Sequence, residues 1–204
     1  MGNKNKLPIS AKLYLKLRPR IIPFELIEKH VPKNGTVVDI GCGFGIFANY
    51  LASKSENRTV IGIDLNEKRI SLAKKIYGHL PNLNFFCGNI TNTKIPSTNI
   101  ITAIDVIHHI PTLELQTNLL KTCFSVLSEN GKIIIKDVDT KPFWKYWWNY
   151  IHDYLMTGGE KVLYHDQNAF ENLIKKTGFE LEKKVSIDKY PYAHILFIAK
   201  KVLS

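Results

Sequence analysis

Short, nearly unbroken apolar runs bounded by turn residues recur along much of the chain: TVVDI at 36–40, TVIGID at 59–64, LNFFC at 83–87, NIITAIDVI at 99–107 and KIIIK at 132–136. Between them the apolar positions switch to helical spacing over 45–54, 66–79 and 112–128, with room for a short turn at 91–97. A strand with one wet face alternates apolar and polar residues. These runs do not alternate, so they predict strands covered on both faces, as in a parallel sheet wound with helices on either side. After 137 the rhythm changes to an aromatic segment (142–156) and a helix (166–177). Two last runs, 179–187 and 193–199, flank DKYPY and predict an antiparallel hairpin at the end of the sheet. No repeat or low-complexity linker interrupts the 204 residues, a length that suits one domain. That domain is read as 1–204, with a basic N-terminal arm and helix over 1–33 and an aromatic lid inserted over 140–163.

Composition narrows the class. A chain with 45% hydrophobic and 23% charged residues is ordinary for a globular protein. No apolar run approaches the roughly eighteen residues needed to span a bilayer. The opening MGNKNKLPISAKLYLK is too charge-interrupted for a signal peptide, and Lys6 stands where myristoylation wants Ser or Thr. Cys42, Cys87 and Cys123 are widely spaced and odd in number. They argue for a reducing, cytoplasmic setting and against a disulfide frame or a zinc site, so no metal is expected. The net charge of +10 is uneven: residues 1–24 carry six Lys and Arg and no acid. Only four of the 28 basic residues are Arg, which reads as a solvated arm rather than a nucleic-acid groove.

The chemistry is concentrated after the first predicted strand. DIGCGFG at 39–45 places glycines at 41, 43 and 45, a turn of the kind that holds a nucleotide. The dinucleotide spacing GxGxxG would put a small residue at 46, where this chain has Ile46. The strand also ends in Asp39, whose carboxylate would repel a pyrophosphate and attract an ammonium or sulfonium. Asp64, about twenty residues on, ends the second strand where an acid accepts from both ribose hydroxyls. A helix-capping role for Asp64 is the alternative, since LNEKRISLAKK follows it.

VVDIGCGFG with GIDLNE resembles the class I S-adenosylmethionine-dependent methyltransferases. The resemblance continues through FFCGNI, AIDVIHHIP and LSENGKIIIKD, four motifs in register over about 34–137. It implies a Rossmann-like, doubly wound α/β fold with a seven-stranded sheet, mostly parallel, the last strand antiparallel. It further implies S-adenosyl-L-methionine as cofactor. Gly41 and Gly43, with Asp39 and Phe44, would pass the methionine end and Asp64 would hold the ribose. Leu65 would lie on the adenine, Asn89 would touch its amine, and Ile90 would offer it a backbone group. Asp105 would support the cofactor. Motifs of the amino-methylating nucleic-acid enzymes, the carbon-methylating RNA enzymes and the protein-arginine group are not found in the sequence.

Methyl transfer from a sulfonium needs chiefly an aligned nucleophile, and a base only where the acceptor must lose a proton. His108 and His109, at the carboxyl end of the fourth strand, are the candidates for that base. Adjacent side chains diverge, so one is expected to face the pocket and the other to pack. Asp137 and the aromatic segment KPFWKYWWNYIHDYLM, through Trp144, Trp147 and Trp148, are expected to line the acceptor pocket. Helical spacing sets Phe143, Trp144, Trp147, Trp148, Ile151, Tyr154 and Leu155 against Lys145, Asn149, His152 and Asp153. The segment is read as a lid or as a contact with an anionic membrane surface, making the protein cytoplasmic or peripheral at a membrane. The expected function is methylation of a small, apolar or amphipathic, lipid-like acceptor. The alternatives are a methyltransferase fold that binds without turnover and an RNA or other nucleic-acid methyltransferase. The oligomeric state is left open.

Overall fold

A computed structural model describes residues 9–90, 93, 95, 97–157, 159, 161–188 and 191–202. Its strands are β1 (Gly35–Ile40), β2 (Arg58–Asp64), β3 (Leu83–Cys87), β4 (Thr98–Ile104), β5 (Leu127–Val138), β6 (Phe179–Ser186) and β7 (His194–Lys201). They form one seven-stranded sheet in the order β3-β2-β1-β4-β5-β7-β6. β1 pairs parallel with β2, and β2 with β3, while β7 runs antiparallel to both β5 and β6. The predicted α/β class and the antiparallel terminal hairpin are therefore observed. The helices are α1 (Ile9–Ile21), α2 (Phe24–Glu28), α3 (Ile46–Ser53), α4 (Glu67–Tyr77), α5 (Leu113–Val126), α6 (Phe143–Thr157) and α7 (Gln167–Lys176). The short turn expected at 91–97 falls largely on residues outside the description. The chain divides into two compact units, Met1–Thr102 and Ala103–Ser204.

In the first unit the apolar runs of β1 and β2 are buried along nearly their whole length, which explains their lack of alternation. α3 and α4 turn Phe47, Leu51, Ile70 and Ala73 inward. Phe24 of α2 meets Phe47 with ring centroids 4.9 Å apart. Packing is tightest around Phe85 of β3. A Cβ added at Gly45 or at Gly62 would stand 2.5 or 2.7 Å from its ring, far inside van der Waals contact. Arg58, fully buried at the start of β2, fastens α2 and its following loop. Its guanidinium donates to the carbonyls of Pro32 (2.8 Å), Leu51 (2.7 Å) and Val31 (3.0 Å) and to Glu28 Oε1 (3.0 Å). The planar fork of Arg matches several acceptors that a lysine ammonium would not reach together.

In the second unit the Ile133-Ile134-Ile135 run of β5 is fully buried. It pairs with Ala199, Ile198 and Phe197 of β7. Phe170 of α7 packs edge-on against Phe197 at 5.1 Å, and Phe124 of α5 does the same with Phe179 at 5.1 Å. α7 starts at Asp166, whose carboxylate accepts from the amides of Asn168 and Ala169 (both 2.9 Å).

Arg58→Met tests the first of these fastenings. Removing one partner of a buried, fully bonded ion pair costs about 3–5 kcal/mol. At 2–4 °C per kcal/mol for a chain of this size, the melting temperature should fall by roughly 6–20 °C. A fall of under about 2 °C in thermal circular dichroism would show that the four bonds add nothing net.

Candidate active site

The glycine turn leaves β1 through three residues in the left-handed region, Gly41, Gly43 and Gly45 (φ +63°, +56° and +74°), which side chains with a Cβ rarely adopt. Asp64 holds the turn from the end of β2. Its Oδ2 accepts from the Gly43 amide and its Oδ1 from the Asn66 amide, both at 2.8 Å. Capping of α4 itself falls to Asn66, whose side chain accepts from the Arg69 amide at 3.1 Å. The space over Gly43 is open: a Cβ there would meet nothing within 4 Å. Phe44 is half-buried with the Arg69 guanidinium 5.9 Å from its ring centre, and Leu65 is 74% exposed. Asn89 is exposed and Ile90 buried.

Asp39 is 2% exposed, and its Oδ1 accepts from the Thr102 hydroxyl at 2.7 Å. Burial pushes its pKa up to about 7; the Thr102 hydrogen bond opposes the rise and the charge of Asp64 adds to it. Cys42, within the turn, has its thiol pushed up by burial and by the same two carboxylates. The first unit therefore has a buried anionic focus beside an open glycine turn, and a cation bound there would relieve it. Asp39, Gly41, Gly43 and Asp64 come together at this turn and the adjoining strand ends.

The second unit carries the histidines. β4 ends at Ile104, and Asp105 turns the chain at φ +56°. The expected strand over 99–107 thus stops short, and Ile107–His109 forms a single 3₁₀ turn. The Asp105 amide donates to the Lys136 carbonyl at 2.8 Å, and its carboxylate pairs with the Lys136 ammonium, fully buried inside β5.

His108 is 3% exposed. Its Nδ1 pairs with Asp137 Oδ1, and its Nε2 stands 3.4 Å from Asp153 Oδ2, an ion-pair distance without hydrogen-bond alignment. Burial alone would lower the His108 pKa, but the charge and bond of Asp137, with Asp153 behind, outweigh it and raise the pKa to about 10. His108 is therefore an imidazolium at neutral pH. His109 is half-buried with its ring centre 4.2 Å from that of His108. Burial and the His108 charge lower its pKa against the pull of Asp153, Asp137 and Asp105, so it stays neutral. Among the described residues its Nδ1 has no hydrogen-bond partner.

Three residues complete this arrangement. Tyr164 donates to Asp153 Oδ2 at 2.5 Å, and burial followed by the Asp153 charge raises its pKa. Burial would raise Asp153, but the neighbouring His108, His152 and Tyr164 hold it well below the usual carboxylate range. Gln116 donates to the carbonyls of Ile107 and Ile110 (3.0 Å each) and Leu163 (3.2 Å), and its Oε1 meets His165 Nε2 at 2.5 Å. Ile107, His108, Asp137, Val138, Leu163, His165 and Phe170 line a small cleft.

The tryptophans do not join the histidine cluster. Trp144, Trp147 and Trp148 are 52%, 46% and 50% exposed, and it is the polar side of α6, with Asn149 and Asp153, that turns inward. Sequence reasoning separated the two faces of α6 and read the apolar one as a lid or pocket wall or as a membrane contact. It missed Lys136, Gln116, Asp153, Tyr164 and Thr102. The available signals were a lysine set between three isoleucines and an aspartate in a buried strand, and a single acid in an aromatic helix.

A sequence model of a family described as a methyltransferase domain matches residues 12–184. This chain belongs to that methyltransferase family. The methyltransferase is 31% identical over 159 residues to phosphoethanolamine N-methyltransferase 1 of Arabidopsis thaliana, covering 76% of this chain and 31% of that protein. It is 25% identical over 122 residues to a ubiquinone biosynthesis O-methyltransferase of Coxiella burnetii, covering 58% and 50%. The chain spans less than two thirds of the length of the curated relatives it matches. Among solved structures, a SAM-dependent methyltransferase from Methanosarcina mazei superposes with a TM-score of 0.71 at 20% identity, covering 88% of this chain and 98% of that one. That likeness is one of fold.

Asp39 gives the methyltransferase a pH signature. A carboxyl whose folded pKa is raised from 3.8 to about 7 contributes stability below about pH 4 that is lost as pH rises through 7. His108, raised from 6.5 to about 10, has the same sign, with its share lost between those values. In Asp39→Asn only the first component disappears. Without ligand, the variant's melting temperature should fall less than the wild type's between about pH 5 and 8. Parallel curves would mean that Asp39 carries no buried charge.

Proposed function

We propose that this methyltransferase transfers the methyl group of S-adenosylmethionine to a small amphipathic acceptor. The observation that carries the reading is the buried Asp39 carboxylate beside the open, left-handed glycine turn. A ligand with an ammonium and a sulfonium supplies the positive charge that this focus lacks, and a pyrophosphate would worsen it. Gly41, Gly43 and Phe44 would pass the methionine end. Asp64 keeps a further lone pair on each oxygen for the ribose after holding Gly43 and Asn66. Leu65, exposed next to it, offers an apolar face for the adenine, with Asn89 and Ile90 for the ring edge and Asp105 in support. When bound, the cofactor supplies an activated methyl carbon on a sulfonium leaving group.

On the acceptor side, the unequal histidines support distinct roles. His109, neutral and with a free ring nitrogen, takes the proton that the acceptor nucleophile loses as its lone pair forms the new bond to carbon. The sulfonium of the bound cofactor would keep the S–C electron pair as leaving group. His108, already protonated and held by Asp137 and Asp153, cannot accept a proton and instead positions its neighbour. The relatives' names fit small acceptors of both nitrogen and oxygen type, which supports small-molecule chemistry and leaves the atom methylated open.

S-adenosylhomocysteine tests the donor half. It should raise the melting temperature by mass action, about 2.7 kcal/mol at a hundredfold excess over its dissociation constant, while NAD leaves it unchanged. Stabilisation by NAD alone would overturn the cofactor reading.

The acceptor half is tested by turnover on acceptors bearing amines or hydroxyls. His109→Ala should lower kcat about 10²-fold or more, with S-adenosylhomocysteine affinity unchanged. The wild-type acid limb should lie below the ordinary imidazole pKa of about 6.5, because His109 must be neutral to act. Cofactor binding with no turnover on any acceptor would mark a binding protein. Wild-type turnover in His109→Ala would leave alignment alone to carry the chemistry.

A further inference from the structure

α6 is oriented opposite to a helix packed on a core. Phe143, Trp144, Trp147, Trp148, Ile151 and Leu155 are 46% to 73% exposed, whereas Asn149 is 2% exposed and donates to the Ala193 carbonyl at 3.4 Å. The remaining polar groups are also engaged: Asp153 with Tyr164, and Lys145 Nζ with Asp188 Oδ2 at 2.5 Å. A contiguous apolar face left outward on a folded chain marks a binding surface. Nothing in the proposed chemistry uses it.

We infer that this face seats the protein on the surface of an anionic lipid bilayer, with α6 lying in the plane of the headgroups. At 1.5 Å per residue, the stretch from 143 to 155 runs about 18 Å, enough to lie along an interface and too short to cross one. Among the described residues no helix is long and apolar enough to cross a membrane. Trp and Tyr rings favour the interfacial layer, where the ring meets acyl chain and the N–H or O–H meets water.

Charge selects the occupant. Asp153 is the only acid between 140 and 159, and it faces His108 rather than the outside. Lys141 is exposed just before the helix, while the Lys145 ammonium is held by Asp188. The whole chain carries +10, with six cations and no acid in residues 1–24. An anionic lipid surface complements this charge, whereas a second copy would bring like charges together. The inference stands apart from the methyl-transfer reading, since the anchor would serve a chain that turns nothing over.

All three tryptophans of the chain lie on α6, so indole emission reports on this helix alone. The full chain is mixed with vesicles of phosphatidylcholine and phosphatidylglycerol, or of phosphatidylcholine only. With the anionic vesicles at low salt, emission should move to the blue, acrylamide quenching should fall, and the protein should float with the lipid. Binding should weaken at physiological salt, where screening acts over about 8 Å. Trp147→Ala with Trp148→Ala, and separately Ile151→Gln with Leu155→Gln, should each cut the floated fraction about fivefold or more. Because these side chains are exposed, S-adenosylhomocysteine binding and circular dichroism should remain as in the wild type. Absence of flotation and of a blue shift with anionic vesicles at low salt would overturn the inference. So would wild-type flotation of both double variants, or a lipid-free, concentration-dependent blue shift with dimers in sedimentation, which would assign the face to a second copy.

Discussion

A carboxylate removed from water must be met by charge or by hydrogen bonds, and the functional ends of this sheet are organised around that requirement. Asp64 meets it with two backbone amides, and in doing so fixes the glycine turn to β2. Asp137 meets it with His108, and Asp105 with the buried ammonium of Lys136. Asp39 has the Thr102 hydroxyl, a neutral donor, and its raised pKa records the shortfall. Asp64, Asp137 and Asp105 are thus met by amides or by a cation of the chain, whereas Asp39 relies on a neutral donor.

Adjacent histidines divide along the same principle. His108 lies between two carboxylates and is charged; that charge, with burial, keeps His109 neutral 4.2 Å away. Asp153 belongs to α6, so the inward side of the aromatic helix helps to set the protonation of His108. Gln116 reaches the 3₁₀ turn and the 163–165 loop together, holding the backbone on which the pair is displayed.

Much of this was legible in the sequence because its causes are local. Uninterrupted apolar runs report burial on both faces, and β1, β2 and β5 were found where those runs lie. The glycine spacing and Asp39 reported the turn, since left-handed backbone and a strand-terminal acid are written directly in residue type. The end of β4 was not visible, because Val106 and Ile107 continue the apolar run while Asp105 already bends the chain. Nor was the orientation of α6, since periodicity separates two faces without saying which one meets protein. Pairings such as Lys136 with Asp105, 31 positions apart, depend on strand neighbours that no local window contains.

The crowding around Phe85 has a consequence for how such a chain can drift. Positions 45 and 62 lie far apart in sequence, yet each is kept bare by the same ring. A lineage could not enlarge either glycine first, because the added carbon would collide before anything yielded. Shrinking position 85 must come earlier and opens a void at once, yet it is not sufficient: position 45 keeps its left-handed backbone (φ +74°), and a Cβ at 62 would still stand 2.9 Å from Cys42 Sγ. Reversing it would then require both glycines to be restored. The order of steps, more than the identity of any one residue, is what this trio constrains, so substitutions here should arise as a dated sequence rather than as independent events.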